Sequence, residues 1–149
     1  MSNLVAHMRT SAEAGDANAQ FNLAIILGNG FDERGRFVGA QRDEAVLWLR
    51  KAADSGLGRA QCKLAQTYAE SDSPQEQEEA CAWFLVALDN ADGGHRQTAR
   101  EGYEKIARLL QPEQVERART NAKAWRVRIK IGRNAREQAI NALALKRWI

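Results

Sequence analysis

A chain of 149 residues with 44% hydrophobic residues, 11 Gly and 2 Pro is one ordinary domain, able to bury a core without disulfide or metal. Collagen-like, low-complexity and wholly disordered architectures are excluded. The net charge of +3 divides unevenly, with 8 basic and 13 acidic side chains in residues 1–90 against 14 and 6 in residues 91–149.

No stretch approaches the roughly 18 apolar residues of a membrane span, and no basic region followed by an apolar run opens the chain, so a cytoplasmic protein is expected. The opening segment is expected to be a helix in which His7, 41 residues before Trp48, is a semi-buried packing residue. Ala19, Leu23, Ala24 and Leu27 then fall on one stripe at helical spacing, preceded by Gly15 at a helix end. Residues 31–39 read as a surface loop. A helix carrying Val46, Trp48, Leu49, Ala52 and Ala53 follows and ends at Gly56.

The next segment repeats the first. Gly15, Ala19, Gln20, Leu23 and Ala24 recur 41 positions later as Gly56, Ala60, Gln61, Leu64 and Ala65, with Tyr68 extending the new stripe. Glu44, Ala45, Trp48 and Ala52 recur 35 positions later as Glu79, Ala80, Trp83 and Ala87. Two different offsets imply an insertion, which the 31–39 loop supplies. The unit is helix, tight turn, helix, loop, and a third, degenerate unit occupies 94–110.

This pattern resembles the Sel1-like repeat family. The chain supplies Ala-Glu-Ala-Gly at 12–15, Ala-Asn-Ala-Gln-Phe-Asn-Leu-Ala at 17–24, Gly-Asn-Gly at 28–30, and Asp43-Glu44-Ala45 with Trp48 and Ala52-Ala53. Leu110-Gln111-Pro112-Glu113-Gln114 is similar to the capping helix that closes such arrays. The resemblance covers about residues 4–125. It implies an all-α fold: a short right-handed α-solenoid of antiparallel, tetratricopeptide-like helix pairs with a C-terminal capping helix and extension. It also implies a non-enzymatic interaction module, an adaptor, regulator or inhibitor of a partner protein. Ala24 and Ala65 stand where the family has Gly, which keeps the helix crossing small.

Catalytic and metal motifs fail on inspection. Gly30 to Gly35 has the glycine spacing of a phosphate loop, but Arg36 and Phe37 replace the required Lys and Ser or Thr, and Asp32 and Glu33 would repel a triphosphate. Residues 89–94 lack calcium ligands, with Ala91, Gly93 and Arg100 at ligand positions. Cys62 and Cys81 read as small core filler, and no zinc-ligand spacing exists. Glu78 and Glu79 diverge by about 100° on one helix and do not face a common substrate. No catalytic residue, cofactor or metal is expected.

Binding residues are expected on the first helix of each pair, which lines the concave side. These are Asn18 and Asn22, then Arg59, Lys63 and Gln66, then Arg96 and Arg100. Asn costs several tenths of a kcal/mol relative to Ala in mid-helix, which favours a binding role for Asn18 and Asn22. Arg59 and Lys63 suit a protein or peptide partner with carboxylates.

Residues 126–149 read as a basic amphipathic extension beyond a 1–125 repeat domain. Residues 126–131 alternate with period two, and Asn134 to Glu137 is a capping-box-like start for a helix bearing Ile140, Leu143, Ala144 and Trp148. Its expected role is to cover the end of the solenoid, with self-association as an alternative. Ten basic residues between 117 and 147 leave a second functional reading open, a small nucleic-acid-binding protein. With only Trp125 and Trp148 for stacking, that reading is disfavoured.

Overall fold

A computed structural model describes residues 2–32 and 34–148. These form helices α1 (Ser2–Glu13), α2 (Ala17–Gly28), α3 (Arg42–Asp54), α4 (Gly58–Ala69), α5 (Pro74–Asn90), α6 (Gly93–Leu109) and α7 (Pro112–Lys146). Three of the starts have a local cause. Asp16 accepts the backbone N–H groups of Asn18 and Ala19, and Ser73 accepts that of Glu76 ahead of Pro74. The Gln114 side chain accepts the Gln111 backbone N–H at 2.8 Å across Pro112. Gly15 and Gly56 close the preceding helices at φ +100° and +95°, the left-handed region that glycine enters without a Cβ clash.

From α1 to α6 each helix packs on the next, α4 also packs on α6, and α7 packs on α5. This second-neighbour packing stacks helix pairs into an α-solenoid. The predicted stripes are the core: Leu23, Ala24, Leu27, Leu64, Ala65 and Tyr68 are buried, as are Trp48 and Trp83. Two polar residues are buried with them. The Gln20 amide donates to the Ala12 carbonyl and the Gln61 amide to the Ala53 carbonyl, both at 3.0 Å, so each ties its helix to the end of the preceding one. Asn90 completes the second site by donating to Gln61 Oε1.

The 31–39 loop is a surface turn with an antiparallel bridge between Phe31 and Phe37, whose rings meet edge to face at 5.9 Å. Asp32 accepts the backbone N–H groups of Arg34 and Arg36 there, and the expectation that named Glu33 beside it lies outside the described residues. Three sequence expectations need correction. His7 is exposed on α1, so it does not pack as Trp48 does. The period-two segment at 126–131 and the helix start at Asn134 are both absent, because α7 runs unbroken for 35 residues, roughly 52 Å, across them and across residue 125. Ala118, Ala122 and Ile129 form one buried seam at helical spacing, and the intervening arginines reach out to either side of it. The alternation of charge and apolarity is therefore that of a helix edge.

Candidate functional site

The first helices of the pairs, α2, α4 and α6, carry the predicted binding residues. Arg59 of α4 donates to Asn18 Oδ1 of α2, and its guanidinium lies 4.9 Å from the centre of the Phe21 ring. Both residues thus join two repeats, and Arg59 is partly committed before any ligand arrives. Asn22 and Lys63 are exposed and Gln66 is half-buried. Among the described residues Lys63 has no ion pair. Arg96 and Arg100 are exposed on α6 along the stripe that includes Tyr103, whose hydroxyl accepts from Arg119 of α7. The structure brings Asn18, Arg59 and Lys63 together and sets Arg96 and Arg100 on the stripe that leans toward α7.

Beside Lys63 lies a cleft of about 650 Å³ between α2 and α4. Ala24, Ala45 and Leu49 form its floor, and Lys63 and Thr67 of α4 with Glu70 just after it form one wall. Arg42 and Glu76, 2.9 Å apart, close one side. Hydrogen bonds from Ser71 and Arg42 hold the Glu76 carboxyl below the usual carboxylate range. The cleft combines an apolar floor, a rim of hydroxyls and one unpaired cation. Such an arrangement can hold a side chain and a carboxylate.

The second helices carry a ladder of contacts. Arg9 of α1 bonds Glu44 of α3 at 2.9 Å, and the Trp48 indole N–H donates to the same carboxylate. One unit later Arg50 bonds Glu79 at 2.6 Å, but the Trp83 indole N–H is buried without a hydrogen-bond partner among the described residues. Trp125 of α7 lies against Trp83 instead.

The basic run of α7 is largely engaged within the chain. Arg117 pairs with Glu78, Arg126 with Asp89 and the Leu85 carbonyl, and Arg128 with Asp54. Arg133 and Arg136 donate to the carbonyls of Gly56 and Ser55. Beyond Arg136, Ile140, Leu143 and Trp148 are exposed, so the last turns cover no part of the body.

Burial raises the Cys62 thiol above its ordinary value and pushes Cys81 up to about 11, which suppresses the thiolate that nucleophilic chemistry or metal binding needs. Among the described residues no group of three His, Cys, Asp or Glu could hold a metal, and no helix is long and apolar enough to cross a membrane. Sequence reasoning missed the buried Gln20 and Gln61, although their recurrence at 41 residues was the available signal. It also missed the cleft, for which the sequence offers only the small residues Ala24 and Ala45.

The geometry defines a class: an α-solenoid of tetratricopeptide-like helix pairs. Its particular kind is the Sel1-like repeat (SLR) fold, since the chain superposes with a TM-score of 0.72 on a protective antigen of uropathogenic Escherichia coli displaying that fold. The two share 27% sequence identity over 93% of this chain, which spans 28% of the length of that protein. No family model matches the chain, and no curated protein matches it.

Proposed function

We propose that this chain is a non-enzymatic adaptor, regulator or inhibitor that binds a protein or peptide partner of acidic character along its concave face. The observation that carries this reading is Lys63, an exposed cation without an intramolecular partner at the mouth of the 650 Å³ cleft. A charged group in that position is available for a charge-assisted hydrogen bond to a partner carboxylate. Asn22 and Gln66 flank it as adaptable donors and acceptors, while Asn18 and Arg59 supply a fixed rail. Arg96 and Arg100 extend the positive surface onto the next helix. The partner's identity is to be read from its chemistry: acidic and extended enough to lie across α2 and α4. A photo-crosslinking residue placed at Asn22 or Gln66 in cells of the native host tests this. Crosslinks to one protein from these positions, and none from a control at Lys123, are expected. Crosslinks arising only from α7 or from the 31–39 loop would move the binding surface there.

The nucleic-acid reading rests on the basic residues at 117–147. Six of the ten, Arg117, Arg119, Arg126, Arg128, Arg133 and Arg136, already contact groups within the chain. Few cations are left for phosphates, which favours the protein-binding reading.

A further inference from the structure

Leu49 lines the cleft between α2 and α4, and the residue in the matching place at the next junction is larger. The 35-residue ladder that relates Trp48 to Trp83 relates Leu49 to Phe84. Phe84 is buried, and its ring occupies the space against Gly102 of α6 so fully that a Cβ on that glycine would collide with it. Leu49 takes the corresponding place one unit earlier and, with Ala24 and Ala45, lines the cleft of about 650 Å³. The smaller side chain at this position of the second helix accompanies the opening, while at the next junction the larger Phe84 faces Gly102, which stands where the earlier unit has Thr67. Its rim is not symmetrical. Lys63 stands nearer the N-terminal half of α4, next to Arg59, whereas Glu70 stands just past the far end of the same helix.

We infer that this notch is a specificity pocket for one bulky apolar side chain, leucine-sized or larger, of an extended acidic peptide. The peptide's nearest carboxylate lies on the Lys63 side of that residue, and its Glu70 side carries no acid. The inference rests on the proposed concave-face binding and adds the anchor and its polarity. The apolar floor removes the side chain from water, which supplies affinity. The Lys63 and Glu70 rim fixes direction, because a reversed peptide would bring its carboxylate to Glu70.

A displayed library of random dodecapeptides, selected on the full chain, tests it. The expected consensus has one Leu, Met, Phe or Trp with an Asp or Glu within three positions on one side only. A synthetic peptide of that consensus should lose affinity at least about tenfold on Leu49→Phe, and similarly on Lys63→Glu. Thr67→Trp narrows the notch from its rim without entering the core and should act like Leu49→Phe if the latter perturbs folding. Circular dichroism of each variant separates lost binding from lost structure. Binding lost on Lys63→Glu but unchanged by both filling variants overturns the pocket and leaves the concave-face reading standing. Binding unchanged by all three, or no apolar residue in the consensus, overturns the pocket, and the former also removes the concave face as the binding surface.

Discussion

Trp125 of α7 lies on Trp83 of α5 with ring centroids 4.6 Å apart and planes tilted by 33°. Trp83 is 2% exposed and Trp125 is half-buried, so the pair joins the last helix to the middle of the core. Trp83→Ala should cost about 3–5 kcal/mol, the usual range for removing a buried aromatic ring. Trp125→Ala should cost about 1–2 kcal/mol, since it loses a ring contact and partial burial only. Urea denaturation monitored by circular dichroism measures both. A loss below about 1 kcal/mol for Trp83→Ala would contradict its place in the core.

Gly15 and Gly56 have nearly the same positive φ, yet a Cβ at Gly15 meets nothing within 4 Å whereas one at Gly56 meets the Arg133 guanidinium. Gly15→Ala should therefore cost only the backbone penalty, roughly 1–2 kcal/mol. Gly56→Ala should cost more, and the excess should vanish in the Arg133→Ala background. A double-mutant cycle on thermal unfolding reads that coupling.

The buried thiols predict an alkaline limit. Desolvation raises Cys62 and pushes Cys81 up to about 11 from 9.0, so the unfolded chain releases these protons first. The stabilisation is complete below about pH 9 and declines as pH rises toward 11. Folding free energies measured across that interval should fall in the native protein and fall less in the Cys62→Ala/Cys81→Ala variant. Native thiols should also react slowly with iodoacetamide at pH 8, and quickly once unfolded in urea.

Reversal of the Arg59 charge disturbs two things at once, because Arg59 also holds Asn18 and covers Phe21. Lys63→Glu touches no intramolecular partner. The expected outcome is an unchanged melting temperature with weakened partner binding for Lys63→Glu, and a lowered melting temperature for Arg59→Glu. Calorimetry and a binding titration on the same samples check both halves.

Nucleic acid should bind weakly and without sequence preference, with a dissociation constant of roughly 10⁻⁴–10⁻⁶ M at physiological salt. Lys123, Lys130, Lys146 and Arg147 are the cations of the 117–147 run without an intramolecular partner among the described residues, and a fluorescence anisotropy titration should give a shallow salt dependence. Nanomolar binding to a defined DNA or RNA would promote the alternative function.

The helix pairs were legible because Gly15, Ala19, Gln20, Leu23 and Ala24 return as a set, and a repeated set of spacings constrains packing more tightly than propensity does. The turn glycines were legible for the same reason. Residues 126–131 were misread because a short helix edge with arginines beside Val127 and Ile129 alternates as a strand does; the period becomes unambiguous only once Ala118, Ala122 and Ile129 are seen as one seam. His7 was misplaced because an offset of 41 was extended to a helix that has no preceding repeat. Of the candidate site, the positions of Asn22 and Lys63 on exposed helix faces followed from the stripe, whereas the engagement of Arg59 by Asn18 and Phe21 depends on the distance between helices. The cleft depends on it too, since Leu49 and Phe84 differ in volume visibly but their surroundings do not appear in a sequence.

Chains built of stacked repeats unfold in pieces when each unit touches only its neighbours. Here Arg128, Arg133 and Arg136 reach partners 74, 77 and 81 residues away in sequence, at the turn between α3 and α4. These contacts close a loop around the second and third repeats. Folding must therefore wait for the final helix, which slows it relative to a purely local array of the same length. In return the two repeats and α7 melt as one cooperative unit, while α1 and α2, outside the loop, fray first. Amide hydrogen exchange should resolve these two populations.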